Sequence, residues 1–417
     1  MFTFILKSIG IVGVYNLNQL SSLKNRRVLV LAGFLVLELL AGVEWGIHRG
    51  LSSLFAKQEL LITSYTQIGY IVSVFGVSKA VTNLVFGFIS DKIGRKPVII
   101  IGIILTGLGG ALIALASNYA YMLMGTGLIG VGGGATFVGI MVSMTETLPL
   151  QIGLAMGLFE LAAYGGSSIG TYVGGLLGVA RGLRYPFYLI IVISAIGVVS
   201  SLIFTPETRV KSSSSVARIP LFSHLSDFYK ILPLSIAGFS SKVMDSLIIS
   251  FIPIYLVEEG VGLEGVAVIL SGFTLSWALL QPLTGYLSDR VGRGVLTVLG
   301  LAGSSVTIIF FAYVNNYLYL VSLALLLGFE AALFYTPIVA MVSDIAPSEV
   351  EGTMIGGYRF FRDMGYFVGP IVLGRIADVY GVKYSIYVTS VVLAASVIIL
   401  MYSIKGIRIM SEARDTG

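Results

Sequence analysis

Apolar stretches of about twenty residues recur along the whole chain, and a helix of that length crosses the hydrocarbon core of a bilayer. Hydrophobic residues make up 56% of the 417 positions and charged residues 11%, and the mean hydropathy is +0.95. A soluble globular protein with this composition would have too few polar side chains to cover its surface. Because no water reaches the hydrocarbon core, each stretch must satisfy its own backbone hydrogen bonds, so the sequence predicts an all-α membrane protein.

Twelve membrane spans are predicted, and they lie at 28–47, 64–90, 97–116, 120–143, 150–178, 186–205, 231–257, 264–288, 295–314, 317–343, 348–373 and 384–404. With both termini in the cytoplasm, the inner loops and tails hold sixteen Lys and Arg residues and the outer loops hold six, among them Arg49 and Lys57. This asymmetry is the positive-inside pattern of a multi-pass protein of the plasma membrane. The pI near 9.1 therefore reflects topology, and nucleic-acid binding is not expected.

The longest break between spans, at 206–230, is polar, serine-rich and basic, which predicts a flexible cytoplasmic linker between two halves. The predicted domains are a cytoplasmic tail at 1–26, a six-helix bundle at 27–205, the linker, a second six-helix bundle at 231–405 and a cytoplasmic tail at 406–417. The sequence has no cysteine, no cluster of metal ligands and no Gly-x-x-x-x-Gly-Lys phosphate loop. No metal, cofactor, enzymatic activity or ATP-driven pumping is therefore expected.

The pattern Gly-x-x-x-Asp-x-x-Gly-Arg occurs twice, 198 positions apart, each time where an apolar stretch meets a short basic loop. The first copy contains Gly87, Asp91, Gly94 and Arg95, and the second contains Gly285, Asp289, Gly292 and Arg293. Glycine allows a sharp turn, an aspartate can lie at a helix N-terminus of the other half, and Arg95 can pair with Glu146. Asp344 lies 198 positions after Glu146. Duplication at matching positions indicates two repeats that move against each other, whereas a simple cluster of topology-determining charges is the alternative.

The two halves, the twin loops and the long central linker resemble the major facilitator superfamily over about residues 27–405. The resemblance implies two six-helix bundles around a central cavity that spans 1, 4, 7 and 10 line, and alternating access by rocking. It also implies that Asp91 and Arg95, and by symmetry Asp289 and Arg293, latch the outward-open state. We expect a monomer in the lipid bilayer that binds a small-molecule substrate.

Regularly spaced glycines mark the fifth and eleventh spans. The fifth has Gly157, Gly166, Gly170, Gly174 and Gly175, and the eleventh has Gly356, Gly365, Gly369 and Pro370. The fifth span resembles the antiporter signature of the family, except that Thr171 replaces its proline. The arginine that such antiporters carry in the fourth span is also missing from Tyr121–Gly125. Close packing of helices is the alternative explanation of the glycines.

Ionisable residues inside the spans are the candidates for binding substrate and protons, because such groups are costly in a bilayer. They are Glu38, Glu44, Lys79, Glu160, Asp245, Glu330, Arg359, Arg362 and Asp363. Helical spacing predicts local pairs of Lys242 with Asp245 and of Arg359 with Asp363. After this pairing, four glutamates remain and only two cations, Lys79 and Arg362. A carboxylate without a cation in a medium of low dielectric constant takes up a proton.

These observations predict a proton-coupled secondary transporter, with protons carried by Glu160 and Glu330. Glu44 can instead pair with Arg49 at the outer mouth. The fifth span favours efflux or antiport. Uptake of an anion held by Lys79 and Arg362 is the alternative within this class. A membrane receptor that binds a solute without moving it is the alternative from another class.

Overall fold

The computed structural model describes residues 17–148, 152–209, 225–346 and 351–415, and these form helices without any strand. The helices are α1 (Leu17–Gln58), α2 (Tyr65–Ile93), α3 (Arg95–Ala114), α4 (Tyr119–Thr147), α5 (Ile152–Arg181), α6 (Tyr185–Phe204), α7 (Leu225–Ser250), α8 (Ile252–Glu258), α9 (Leu263–Val291), α10 (Arg293–Phe310), α11 (Tyr317–Ile345), α12 (Glu351–Tyr380) and α13 (Val382–Asp415). The centre of the predicted linker and the first sixteen residues lie outside this description.

Twelve transmembrane helices form two bundles of six, α1–α6 and α7–α13, as the sequence predicts. Ten of the described helical segments are long and apolar enough to cross a membrane by length and composition, and α5 and α12 complete the two bundles. The seventh span is divided into α7 and α8 at Phe251. Pro253 has no N–H to donate to the carbonyl of Ile249, and the hydroxyl of Ser53 in α1 donates to it instead, at 3.2 Å.

The first span is longer than predicted. Helix α1 continues from Leu17 to Gln58, so Arg49 and Lys57 lie in the helix and not in an outer loop. The assignment of Arg49 to an outer loop was wrong, because a single charge followed by apolar residues does not end a helix. The apolar residues that follow it, such as Leu51 and Phe55, are buried and continue the helix into the protein.

Glycines bring the backbones of α1 and α5 into direct contact. A Cβ atom on Gly46 would collide with the carbonyl oxygen of Ser167, and one on Gly166 would collide with that of Leu39. Small residues four apart allow this approach in a membrane. Thr171, which replaces the proline of the antiporter signature, donates its hydroxyl to the carbonyl of Gly46 at 2.9 Å. Gly166 and Gly170 of the fifth span therefore have a packing role here.

The two bundles meet along two helix pairs, α2 with α12 and α5 with α9. We call the end with both Gly-x-x-x-Asp-x-x-Gly-Arg loops the inner end and the opposite end the outer end, following the predicted orientation. Near the outer end the bundles touch, since a Cβ on Gly69 would collide with the carbonyl of Pro370, and Ser168 donates to the carbonyl of Ser271 at 2.9 Å. Towards the inner end a Cβ on Gly157 or Gly356 would meet nothing within 4 Å. The protein is closed at its outer end and open at its inner end.

Replacing Gly166 by alanine should lower the free energy of unfolding by about 1–3 kcal/mol, because the added methyl group forces α1 and α5 apart. Gly165→Ala is the matched control, since a Cβ at that position meets nothing within 4 Å. Thermal unfolding of the purified variants measures both. Equal melting temperatures for the two variants would contradict the close helix contact.

Candidate transport site

A cavity lies between the bundles and is partly continuous with open solvent. It is lined by residues of α1 to α5 on one side and of α7, α11 and α12 on the other. Spans 1, 4, 7 and 10 all contribute, as the resemblance implies. The ionisable side chains of the lining are Glu38, Glu44, Lys79, Glu160, Lys242, Arg359, Arg362 and Asp363, and Tyr164, Tyr335 and Tyr366 add hydroxyl groups.

Two of the cavity cations have no carboxylate partner within 4.0 Å among the described residues. The ammonium of Lys79 lies over the rings of Trp45 and Phe137, 4.7 and 4.8 Å from their centroids. Arg359 extends from α12 to the first bundle, where its guanidinium lies 3.5 Å from the sulfur of Met141, and its buried Nε has no hydrogen-bond partner. Both charges are available to a ligand.

The predicted pair of Arg359 with Asp363 is wrong. Asp363 accepts a hydrogen bond from its neighbour Arg362 at 2.8 Å, and Arg362 also donates to the hydroxyl of Tyr335 at 3.2 Å. Arg359 is free of Asp363 because its side chain contacts the opposite bundle. The free cation that the sequence assigned to Arg362 is therefore Arg359.

The carboxylates that were expected to carry protons have different surroundings. Glu38 is 3% exposed, and its Oε2 has no hydrogen-bond partner in the described structure. Glu160 lines the same cavity. Glu330 lies apart from the cavity lining, between α10 and α11, where it accepts a hydrogen bond from Thr307 at 2.8 Å. Depth in the membrane did not reveal which face of α11 carries Glu330.

A buried network of charged and polar groups joins the bundles on the outer side of the cavity. Asp245 of α7 contacts the guanidinium of Arg49 in α1 and the hydroxyl of Tyr366 in α12, and Lys242 lies 3.3 Å from it. The side chains of Arg49 and Asp245 are 3% and 1% exposed. The predicted pair of Lys242 with Asp245 is confirmed. The predicted pair of Glu44 with Arg49 is wrong, since Glu44 accepts a hydrogen bond from Ser194 at 2.5 Å.

Each twin loop forms an ion-pair cluster within its own bundle. Arg95 donates to Asp91 at 2.6 Å and to Glu146 at 3.0 Å, so the expected pair with Glu146 is present. In the second copy Arg293 contacts Asp289 at 3.0 Å and also Asp344. The gating role of these residues stays a prediction.

The segment after α6 contributes a residue that the sequence did not single out. Glu207 accepts hydrogen bonds from the backbone N–H groups of Arg95 and Lys96 at 2.8 and 3.1 Å, and so caps the N-terminus of α3. Partial burial alone would raise the pKa of Glu207, but these N–H donors, that of Arg209 and the charge of Arg95 outweigh it and lower the pKa. These hydrogen bonds join the beginning of the linker to the first of the twin loops.

The family model described as the Major Facilitator Superfamily matches residues 34–233 and 234–408. This chain belongs to the Major Facilitator Superfamily. The multidrug resistance protein MdtG of Proteus mirabilis is 25% identical over 331 residues, covering 78% of this chain and 82% of MdtG. The hexuronate transporter of Bacillus subtilis is 26% identical over 370 residues, covering 82% of this chain and 87% of that transporter.

Two solved transporter structures superpose on most of the chain. The nucleoside transporter NupG gives a TM-score of 0.75 at 16% identity, covering 90% of this chain and 99% of NupG. An inward-facing, unoccupied bacterial homologue of the human lysosomal transporter Spinster gives 0.75 at 14% identity, covering 91% and 97%. At these identities the likeness extends to the fold alone.

Asp245→Asn should lose more stability than Arg49→Gln. The first substitution leaves two buried cations without a carboxylate, whereas the second leaves Asp245 with Lys242. Removing one partner of a buried ion pair costs about 3–5 kcal/mol. Thermal unfolding of the purified variants checks the order.

Asp344→Asn is the matched control, because that carboxylate is 59% exposed and exposed pairs contribute about 1 kcal/mol or less. Equal losses for Asp245→Asn and Asp344→Asn would contradict the importance of the buried network.

Proposed function

We propose that this superfamily transporter is a proton-coupled secondary carrier of an organic anion that works by alternating access. The proposal is supported above all by two cations on opposite walls of the cavity, Lys79 in the first bundle and Arg359 in the second, neither of which has a carboxylate within 4.0 Å among the described residues. An isolated charge in a medium of low dielectric constant is unfavourable, and a bound carboxylate or phosphate would neutralise both.

The balance of charge in the cavity provides a basis for coupling to protons. Lys79, Lys242, Arg359 and Arg362 face Glu38, Glu44, Glu160 and Asp363. Protonation of a glutamate leaves the cavity with an excess of positive charge, which favours an anion. By thermodynamic linkage the bound anion favours the protonated glutamate to the same extent. Glu38 and Glu160 are the candidates, since both line the cavity and the Oε2 atom of Glu38 has no hydrogen-bond partner in the described part of the chain.

Efflux of amphipathic compounds is the second candidate function. It is supported by aromatic rings around the cavity, among them Trp45 and Tyr164, whose ring centroids lie 5.4 Å apart, and Trp277, 4.4 Å from Tyr164. Such rings bind flat apolar or cationic compounds. One relative is named as a multidrug resistance protein and another as a hexuronate transporter, so the relatives support both candidates.

Lys79→Gln and Arg359→Gln should each weaken binding of the anion by about 10-fold to 150-fold, because hydrogen bonds to charged groups contribute about 1.5–3 kcal/mol. A thermal-shift screen of the purified protein against hexuronates, other organic acids and amphipathic cations identifies the ligand, and titration of the variants measures the loss. Arg375→Gln, an exposed arginine on α12, is the control. Stabilisation by amphipathic cations alone, unaffected by either substitution, would favour efflux and overturn the anion proposal.

Glu38→Gln or Glu160→Gln should abolish uphill transport driven by a pH gradient in proteoliposomes and spare counterflow exchange, because glutamine keeps the shape of the side chain but cannot release a proton. Glu330→Gln is the comparison, since Glu330 lies apart from the cavity and was the other proton carrier predicted from the sequence. Uphill transport that survives in both cavity variants and fails in Glu330→Gln would move the proton site to α11.

A further inference from the structure

The glycine spacing of the twin loops recurs at the ends of four long helices. Two glycines seven positions apart, the second just after the helix end, lie at 87–94, 175–182, 285–292 and 374–381, and we call each such segment a glycine frame. Each frame ends in a glycine with positive φ: 105° at Gly94, 105° at Gly182, 106° at Gly292 and 91° at Gly381. The frames close the second, fifth, eighth and eleventh spans, so two lie at the inner end and two at the outer end.

The first glycine of each frame reports whether the bundles touch there. At the outer end, a Cβ on Gly374 would lie 2.7 Å from the carbonyl oxygen of Tyr65 in α2, and one on Gly175 would collide with the Cβ of Ala267 in α9. At the inner end, a Cβ on Gly87 would meet nothing within 4 Å, and one on Gly285 would meet only Thr336 of its own bundle. The outer frames are thus engaged with the opposite bundle, and the inner frames are not.

The aspartate at the fifth position of a frame also differs between the two ends: it bonds within its own bundle at the inner end and to the opposite bundle at the outer end. Asp91 and Asp289 are bonded to the arginine that follows their own frame. Asp378, at the equivalent position of the 374–381 frame, instead reaches the opposite bundle. Its Oδ1 accepts a hydrogen bond from the N–H of Tyr65 at 2.6 Å, and its Oδ2 accepts from the N–H and the hydroxyl of Thr66 at 3.1 and 2.6 Å.

A hydroxyl of the α2 N-cap completes the contact, since Ser64 donates to Oδ2 at 2.9 Å. A carboxylate at this position satisfies N–H groups that have no partner within the helix and interacts favourably with the helix dipole. The N-terminus of α2 and the end of α12 can keep these bonds only while the outer end is closed. The 175–182 frame has Val179 at the fifth position, so the end of α5 lacks an equivalent carboxylate.

We propose that Asp378 is an outer latch, which holds the outer end closed and favours the inner-open conformation. It thereby opposes Asp91, for which the family resemblance implies a latch of the outward-open state. The latch rests on the alternating access of the proposed function and is independent of the cargo and of proton coupling.

Two single-cysteine reporters test the latch in this chain, which has no native cysteine. Ser53→Cys replaces a residue that is 2% exposed at the outer contact of α1 with α7, and Gly157→Cys replaces one in open space towards the inner end. The rate of maleimide labelling in nanodiscs, where both faces are accessible, reports the opening of each end.

Asp378→Asn should raise the labelling rate of Ser53→Cys by between about 2-fold and about 30-fold, which is the free energy of a charge at a helix N-terminus expressed as a ratio of populations. The same substitution should slow the labelling of Gly157→Cys. Asp91→Asn should do the reverse, and the double variant should return to within about 2-fold of the parent. Thr66→Val, which keeps the carboxylate and removes one donor, should shift the rates in the direction of Asp378→Asn by less. Arg375→Gln, one turn away on the same helix, should leave them unchanged.

Unchanged labelling in Asp378→Asn overturns the latch. If Asp91→Asn still moves the reporters, alternating access stands and only the outer latch is wrong, whereas reporters that move in neither variant overturn alternating access as well. Melting temperatures accompany each variant. Should Asp378→Asn fail to fold, Thr66→Val and Ser64→Ala test the same contact, and normal labelling in both would reject the proposal.

Discussion

The closed outer end depends on the contacts that the buried carboxylate of Asp245 makes with both bundles. It contacts Arg49 of the first bundle, Lys242 of its own helix and the hydroxyl of Tyr366, all removed from water. Charges in such surroundings require partners, and the partners here lie on three helices of two bundles. The network forms the outer boundary of the cavity and leaves Lys79 and Arg359 below it as the cations that a ligand can reach.

Close approach of helix backbones is the second requirement of this architecture. Lipid provides no hydrophobic driving force for helices to associate, so contacts at glycine and inter-helical hydrogen bonds hold them together. The contacts of Gly166 lie within one bundle, whereas those of Gly374 lie between the two bundles. Rocking of the bundles can therefore break the second kind while leaving the first intact.

Local spacing predicted two pairs correctly, Lys242 with Asp245, three residues apart on α7, and Arg95 with Glu146 beside the duplicated loop. The same kind of spacing failed for Arg359 with Asp363, because spacing along a helix does not show which neighbour a side chain faces. Depth in the membrane likewise does not show which face of α11 carries Glu330. Arg359 faces Met141 of the opposite bundle, and Glu330 faces α10 and not the cavity.

The sequence by itself determined the all-α membrane fold, the division into two six-helix halves and the positions of the twin loops. Hydropathy, charge asymmetry and repeated spacing are properties of continuous segments, and each segment must satisfy its own backbone in lipid. Only the tertiary structure decided which charges meet, such as Arg49 with Asp245, 196 positions apart, or Asp378 with the N-terminus of α2, more than 300 positions away. Such contacts depend on how whole bundles are oriented against each other, and no spacing within a helix carries that information.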